Sequence, residues 1–429
     1  MTIAFLFGAL FFLLLLGVPV AVGLGLSSLL TIVFYGHESL AALAAKFLQT
    51  ANISALLCVP FFILASNLMT SGGVARRMID LTVAMVGHLR GGLAIASVMA
   101  CMLFAAVSGS SPATVIAVGS IIITGMVEAG YGKRFAAGVI CNAGTLGILV
   151  PPSLILVVYA AATDTSVGRL FMAGILPAIV LGVMLMTTIW VVAWKLDLPR
   201  QKRVTFWQLI ATARRAVWGL LLIFIILGGI YGGIFTPTEA ASVAVVYAAV
   251  VALFIHRDLA FRDLPKVIVQ SGRTTVMLMF IISNALLFAY VLTTMQIPQA
   301  TAQHLLNSGM SRGMFLLIMN LVLLLAGNFM DPSSIVLILA PIVFPIATRM
   351  GVDPVHLGII MAVNMEIGLV HPPVGLNLFV MSEVAHMSLG DVVKAALPWL
   401  LVLLVFLGIV TYVPLLSTTL PELVLGSSL

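Results

Sequence analysis

Charge is what this sequence has least of. Charged residues make up 8% of its 429 residues, whereas soluble domains contain about 25%. Hydrophobic residues make up 62%, and the mean hydropathy is +1.24. So few charges cannot solvate the surface of a soluble protein of this length. The composition therefore excludes a chain of soluble domains and predicts a protein that exposes much of its surface to lipid.

Cysteine is also scarce. Cys58, Cys101 and Cys141 lie inside apolar runs without CxxC spacing, which favours buried thiols over a disulfide or a metal site. The seven histidines show no HExxH or similar ligand spacing, and no nucleophile and base converge in the sequence. We therefore predict no enzyme and no catalytic residues. The net charge of +6 is explained by basic cytoplasmic loops, so we predict no nucleic-acid partner.

Long hydrophobic runs are what the sequence does contain. Residues 91–132, 216–256 and 313–348 include no Lys or Arg, and a membrane-spanning helix needs about 20 apolar residues. The runs are continuous rather than alternating, which predicts helices and not barrel strands. Two basic linkers, 195–215 and 257–273, flank one helical hairpin. By the positive-inside rule both linkers are cytoplasmic, and the turn at residues 236–239 is extracytoplasmic.

The two halves of the chain share a pattern of interrupted apolar segments. Ser-Gly-Ser-Ser-Pro interrupts the first half at 108–112, and Asp-Pro-Ser-Ser interrupts the second at 331–334. Each half also contains a Pro-Pro pair. Three pairs of matching positions are 221 residues apart: Ser110 and Asp331, Gly147 and Gly368, and Pro151 and Pro372. This shared spacing predicts a duplicated unit, and paired interruptions in matching halves are typical of a secondary transporter's central site.

The interruptions have a chemical consequence. Proline removes a backbone donor, and a freed backbone group in lipid costs several kcal/mol unless it is buried in protein or lines a cavity. Freed carbonyls suit Na⁺, and half-helix N-termini suit a carboxylate. The alternative is that each interruption is only a helix kink that packs against neighbouring helices and binds nothing. The roles of three residues also stay open. Asp331 is either a functional acid or a helix N-cap, and Glu366 is a functional acid, the partner of a base or a residue near the membrane interface. His371 either contributes its backbone carbonyl as a ligand or acts as a proton relay.

Several longer motifs resemble a known family, the large membrane subunit of TRAP transporters, of DctM type. They cover nearly the whole chain and occur in order: SGSSPAT at 108–114, GTLGILVPPS at 144–153, PTEAA at 237–241, DPVH at 353–356 and PPVGLNLF at 372–379. The resemblance implies an all-α polytopic membrane protein of the ion-transporter superfamily. Such a protein has inverted repeats, two re-entrant helical hairpins, two broken helices and an elevator-type transport domain.

The resemblance implies a domain organisation and a set of partners. Five regions follow from it: 1–90, scaffold helices and arm; 91–168, transport domain of repeat 1; 169–312, scaffold with basic linkers; 313–394, transport domain of repeat 2; and 395–429, a C-terminal helix. The expected partners are a small four-helix membrane subunit of DctQ type and a periplasmic substrate-binding protein of DctP type. The expected location is the bacterial inner membrane, where the chain spans the lipid bilayer several times.

The function implied is import of organic acids, such as C4-dicarboxylates or sialic acid, coupled to two or more Na⁺ ions. The alternative is a stand-alone sodium- or proton-coupled carboxylate carrier of the same superfamily. The carboxylate itself stays open.

The resemblance also implies site residues. Substrate-binding side chains are expected at the hairpin tips and the broken helices: Ser110, Ser111, Thr145, Asp331, Ser333 and Asn377. The first sodium site is expected at Ala106, Ser108, Ser110, Gly147, Val150 and Ser153, and the second, mostly through backbone carbonyls, at Gly327, Gly368, His371 and Val374. His371 stands where many family members have Thr, so the second site is weakened if the Thr hydroxyl, rather than the carbonyl, binds the ion.

Overall fold

The computed structural model describes residues 2–35, 39–50, 53–71, 73–296, 299, 303, 309–328 and 330–426. Every regular element in these ranges is a helix. The helices are α1 (Thr2–Leu15), α2 (Val20–Tyr35), α3 (Leu40–Thr50), α4 (Cys58–Ser71), α5 (Val74–Val86), α6 (Gly92–Ser108), α7 (Ser111–Glu128), α8 (Lys133–Ala143), α9 (Leu146–Leu149), α10 (Leu154–Thr163), α11 (Val167–Lys195), α12 (Phe206–Tyr231), α13 (Pro237–Val250), α14 (Leu264–Thr294), α15 (Arg312–Gly327), α16 (Pro332–Arg349), α17 (Pro354–Gly368), α18 (Leu376–Val384), α19 (Leu389–Tyr412) and α20 (Leu415–Leu425).

Eight segments of the described chain are long and apolar enough to cross a membrane. They include the 31-residue segment Lys133–Thr163, which contains the first Pro-Pro pair, and the 29-residue helix α11. The prediction of an all-α polytopic membrane protein is therefore confirmed. The domain boundaries stay a prediction, although the last one, at residue 395, falls inside α19.

Two helical hairpins occur at the predicted tips. In the first, α6 packs on α7 and Gly109 joins them with a φ of +59°, a left-handed conformation that favours glycine. In the second, α15 packs on α16, which begins at Pro332. Both second helices carry Pro in their first turn, where the missing N–H would have no intrahelical partner. Sequence alone therefore determines where each hairpin turns.

Two helices break at the predicted prolines. Residues 150–153 separate α9 from α10, and residues 369–375 separate α17 from α18. Both breaks contain a cis Pro-Pro bond. Helix α17 is buried from Val355 to Gly368 and packs against α9, α11, α15, α16 and α19. It is thus central to the region that sequence analysis assigns to the transport domain, and its polar residues His356, Asn364 and Glu366 are buried with the apolar ones.

The hairpin between the basic linkers forms as expected. Helices α12 and α13 pack together, and Thr236 begins α13 as its N-cap. The backbone N–H of Thr236 donates to a carboxylate oxygen of Glu239 at 2.8 Å, completing a capping box. Helix α4 packs on α13 and α14, and α5 packs on α12. These contacts form the part of the molecule that sequence analysis assigns to the scaffold.

Candidate transport site

The tip of the first hairpin is held by its own hydroxyl groups. Thr114 Oγ1 lies 2.8 Å from the carbonyl oxygen of Ser110, to which it donates. Ser108 Oγ lies 3.0 Å from Thr114 Oγ1. Because the single Thr114 proton is used on Ser110, the Ser108 hydroxyl is the donor in that second contact. Ser108 is buried and Ser110 is half-buried, so the tip is a preformed structure rather than an open loop.

This tip lies directly against the first helix break. A Cβ atom on Gly109 would lie 2.5 Å from the carbonyl oxygen of Pro152, and one on Gly147 would lie 2.7 Å from the carbonyl carbon of Ser110. Real Cβ contacts are longer, so both positions need glycine. The structure thus brings Ser110 and Gly147 of the predicted first sodium site together. The other members lie near the same break: Ala106 is buried in the last turn of α6, and Val150 ends α9.

Ser153 supplies an unused oxygen at this break. It begins α10, is 1% exposed, and its hydroxyl has no hydrogen-bond partner. A buried hydroxyl without a partner costs about 1–3 kcal/mol, so such a group usually has a ligand or a water. Together with the nearby backbone carbonyls, it gives an oxygen-only donor set, which fits a hard cation such as Na⁺.

The second hairpin and the second break approach each other through paired glycines. A Cβ atom on Gly368 would lie 3.0 Å from the Cα of Gly327, and both residues are buried. His371 Nδ1 lies 2.6 Å from Asn328 Oδ1. This contact joins the two side chains of the second tip and the second break. Val374, the fourth member of the predicted second sodium site, is 48% exposed.

The two repeats are joined at the substrate positions. Asn377 Nδ2, on α18 of the second repeat, donates to Ser111 Oγ on α7 of the first at 2.7 Å. Both residues are buried, and Asn377 Oδ1 has no hydrogen-bond partner. Two predicted substrate residues therefore meet, with an acceptor left open beside them.

A second bond links the broken helices. The Thr145 hydroxyl lies 2.9 Å from Glu366 Oε1, and these two residues are themselves 221 positions apart in sequence. Glu366 is completely buried, and the described residues include no cation paired with it. Its partner among the described residues is thus a hydroxyl and not a base, and its position relative to the membrane interface stays a prediction.

Asp331 and Ser333 are placed differently. Asp331 is exposed and is the N-cap of α16, where its carboxylate accepts hydrogen bonds from the backbone N–H of Ser334 at 3.0 Å and from the Ser334 hydroxyl. Ser333 is half-buried. The structure thus shows Asp331 as a helix N-cap, and the Asp331 carboxylate makes no hydrogen bond to Ser111 or Asn377.

Sequence reasoning misses two residues and one bond that hold this site together. Thr114 belongs to a motif but gives no sign of its bond to Ser110, Asn328 has no signal of its own, and the bond between Thr145 and Glu366 is not predicted. The repeat offset could have found the last of these, since Thr145 and Glu366 occupy matching positions. Nothing in the sequence around Asn328 signals its bond to His371, which depends on tertiary packing.

Paired hairpins packed on paired broken helices, within a bundle of membrane-length helices, define a secondary transporter. The chain matches the model of the family described as "Tripartite ATP-independent periplasmic transporter, DctM component" over residues 7–416. It therefore belongs to that family, whose members are large permease subunits and not enzymes.

Relatives extend over almost the whole chain. It is 62% identical to the C4-dicarboxylate TRAP transporter large permease protein DctM of Pseudomonas aeruginosa, over 93% of each chain. It is 53% identical to the protein of the same name from Vibrio cholerae, over 99% of each. The crystal structure of the YdaH transporter of Alcanivorax borkumensis has a similar fold, with a TM-score of 0.60, 14% identity and 86% of each chain covered.

Proposed function

We propose that this chain is the large permease of a Na⁺-coupled importer of C4-dicarboxylates in the bacterial inner membrane. Relatives at 48–62% identity carry the C4-dicarboxylate name. More distant relatives are named for other substrates: isethionate at 41%, 2,3-diketo-L-gulonate at 35% and ectoine at 33%. The family therefore accepts different cargo, and the substrate proposal rests on the higher identities.

One observation carries the coupling proposal: each hairpin meets the helix break of its own repeat through glycine, at Gly147 in the first and at Gly327 and Gly368 in the second. These contacts place the carbonyl oxygens of Ser110 and Gly327 beside a glycine of the facing break, inside protein, where a cation can use their remaining lone pairs. Na⁺ ions carried at these two positions would supply the driving force. The proposed substrate position lies between them, where Asn377 and Ser111 meet and the Asn377 oxygen is open.

The partners follow from the family. One relative, the isethionate permease DctMQ of Oleidesulfovibrio alaskensis, is longer than this chain, which covers 65% of it. We infer that a separate DctQ-type subunit completes this protein and that a DctP-type binding protein delivers the substrate. The stand-alone carrier is the competing proposal, because it needs neither partner.

Reconstitution separates these proposals. The chain, its small subunit and the loaded binding protein are placed in proteoliposomes, and uptake of radiolabelled succinate is followed with an inward Na⁺ gradient. Uptake should require all three proteins and should disappear when choline replaces Na⁺. Equal uptake in choline would contradict sodium coupling, whereas strong uptake by the chain alone would establish the stand-alone carrier.

An elevator movement can be tested where the two regions touch. The first tip and break face scaffold helices across a small cavity, lined by Leu154 and Pro152 on one side and by Ala65 and Leu222 on the other. In a variant lacking Cys58, Cys101 and Cys141, cysteines at 154 and 222 should cross-link in the arrangement seen here. Under inward Na⁺ and substrate gradients, the cysteine at 222 should instead cross-link several helical turns further along the transport region. A cross-link that never changes partner would favour local gating.

A further inference from the structure

The structure contains a large cavity, and neither Ser111 nor Asn377 of the proposed substrate position lines it. Its volume is about 1220 Å³, and it is lined by residues from α5, from α12, from the segment after α13 and from α7 of the first hairpin. Along α12 the lining runs from Trp207 to Trp218, which is about 16 Å at the helical rise of 1.5 Å per residue. The first part of α12 lies within the basic linker, residues 195–215, that is predicted to be cytoplasmic, and this places the cavity toward that side.

Positive charge dominates this cavity. Its charged residues are Arg76, Arg77, Asp80, Arg214, Arg215 and Asp258. Arg77 and Asp258 form an ion pair at 2.6 Å. The other three arginines have no ion pair among the described residues, so Asp80 opposes three cations. Burial and the nearby Arg77 lower the pKa of His256, which also lines the cavity, so it adds no charge at neutral pH.

The remaining wall is apolar. Ile116 and Ile121 of α7 face the cavity opposite Ile210 and the two tryptophans of α12. Ile116 is 50% exposed and Trp207 is 74% exposed. Tryptophan at such a position is typical of a membrane–water interface, where one edge of the ring is apolar and the other meets polar groups. Arginines beside an apolar wall match a ligand that has both an anionic head and hydrocarbon chains.

We propose that this arginine cavity binds the headgroup of an anionic phospholipid from the cytoplasmic leaflet. Basic pockets between membrane helices on the cytoplasmic side are suited to such headgroups. Guanidinium groups bind phosphate through paired, charge-assisted hydrogen bonds. A small dicarboxylate would use the arginines but would leave the isoleucine and tryptophan wall uncovered, which favours the lipid.

The location gives the lipid a regulatory role. The cavity has α5 and α12 of the scaffold on one side and the first hairpin on the other. A lipid held here would contact both, and so would stabilise the present separation between α7 and α12. Anionic lipid should therefore shift the population of states as well as bind.

The test is lipid binding to the purified chain, measured by native mass spectrometry with short-chain phosphatidylglycerol and with phosphatidylcholine of the same chain length. The cavity variant combines Arg76→Gln, Arg214→Gln and Arg215→Gln. A matched control combines Arg200→Gln, Lys202→Gln and Arg203→Gln, which removes the same charge from the exposed linker. Phosphatidylglycerol should bind preferentially to the unmodified chain and to the control. The cavity variant should bind it about 5-fold more weakly for each arginine removed.

Two results would overturn the proposal. One is equal phosphatidylglycerol binding by the cavity variant and the linker control, since that would place the lipid elsewhere. The other is binding of succinate or inorganic phosphate that is lost in the cavity variant, without any preference for phosphatidylglycerol over phosphatidylcholine; the cavity would then bind a small free anion. If the triple variant does not fold, Arg214→Gln alone is compared with Arg203→Gln by the same measurements.

Discussion

The two hairpin–break units share a backbone plan but use different side chains to hold it. In the first, the tip is fixed by the hydroxyls of Ser108 and Thr114, and glycine lies against the break. In the second, a carboxylate caps α16 and an imidazole bonds to an amide, between His371 and Asn328. The backbone approach through Gly147 or Gly368 is what both retain, and it supports the proposal that carbonyls, rather than side chains, bind the coupling ions.

Burial also distinguishes the two units. Ser153 at the first break is 1% exposed, whereas Val374 at the second is 48% exposed. An ion at the first position would be enclosed, and an ion at the second would have easier access to solvent. The predictions below follow from this comparison, beginning with the change that should cost most.

Filling the shared glycine contacts should have the largest effect. Gly368→Val places a side chain where even a Cβ would lie 3.0 Å from Gly327, and Gly147→Val does the same beside Ser110. Each should reduce Na⁺-driven succinate uptake to near background. Gly408→Ala is the control, because nothing lies within 4 Å of a Cβ there. If Gly368→Val transports normally, the second glycine contact is not an ion site.

Breaking the link between the repeats should have the next largest effect. Asn377→Ala removes the hydrogen bond to Ser111 and the open amide oxygen. Losing one such buried interaction costs about 1–2 kcal/mol, so the KM for succinate should rise about 10-fold. Ser120→Ala, on helix α7 with Ser111, is the control, since its hydroxyl makes only a 3.5 Å contact with the carbonyl oxygen of Ala117. An unchanged KM in Asn377→Ala would remove that residue from the substrate site.

The side chain of His371 should matter less than its carbonyl. His371→Ala and Asn328→Ala each break the same 2.6 Å hydrogen bond. Either change should weaken the Na⁺ dependence of uptake by less than about 10-fold, and the double variant should be no worse than one alone. Additive losses would show that the two residues act separately, and complete loss in His371→Ala alone would indicate a direct role for the imidazole.

The smallest effect is expected in the scaffold. Glu239 accepts hydrogen bonds from the backbone N–H of Thr236 at 2.8 Å and from the Thr236 hydroxyl at 2.9 Å. An amide in place of the carboxylate keeps an acceptor oxygen but loses the charge that strengthens these bonds. Glu239→Gln should therefore lower the Tm slightly. Succinate uptake should be unaffected, and a loss of uptake would assign this turn a role in transport.

Sequence reasoning found the backbone features of the site and missed much of its side-chain bonding. The breaks at residues 150–153 and 369–375 coincide with the two Pro-Pro pairs, each of which removes two backbone donors in succession, whereas a single proline such as Pro177 stays inside a helix. The Ser111–Asn377 and Asn328–His371 bonds join segments far apart in sequence, so only packing reveals them. Asp331 shows the limit of reasoning from charge alone, because an acid before a Pro-Ser-Ser turn is also a good N-cap.

The dependence of thermal stability on Na⁺ tests the central claim, which is that the two hairpin–break contacts bind the coupling ions. The unfolding temperature of the purified complex is followed as NaCl replaces choline chloride at constant ionic strength. The account predicts a saturable rise in Tm with Na⁺. Gly147→Ala and Gly368→Ala should each reduce the rise, and the double variant should abolish it. An unmodified protein with the same Tm in Na⁺ and choline would contradict the account.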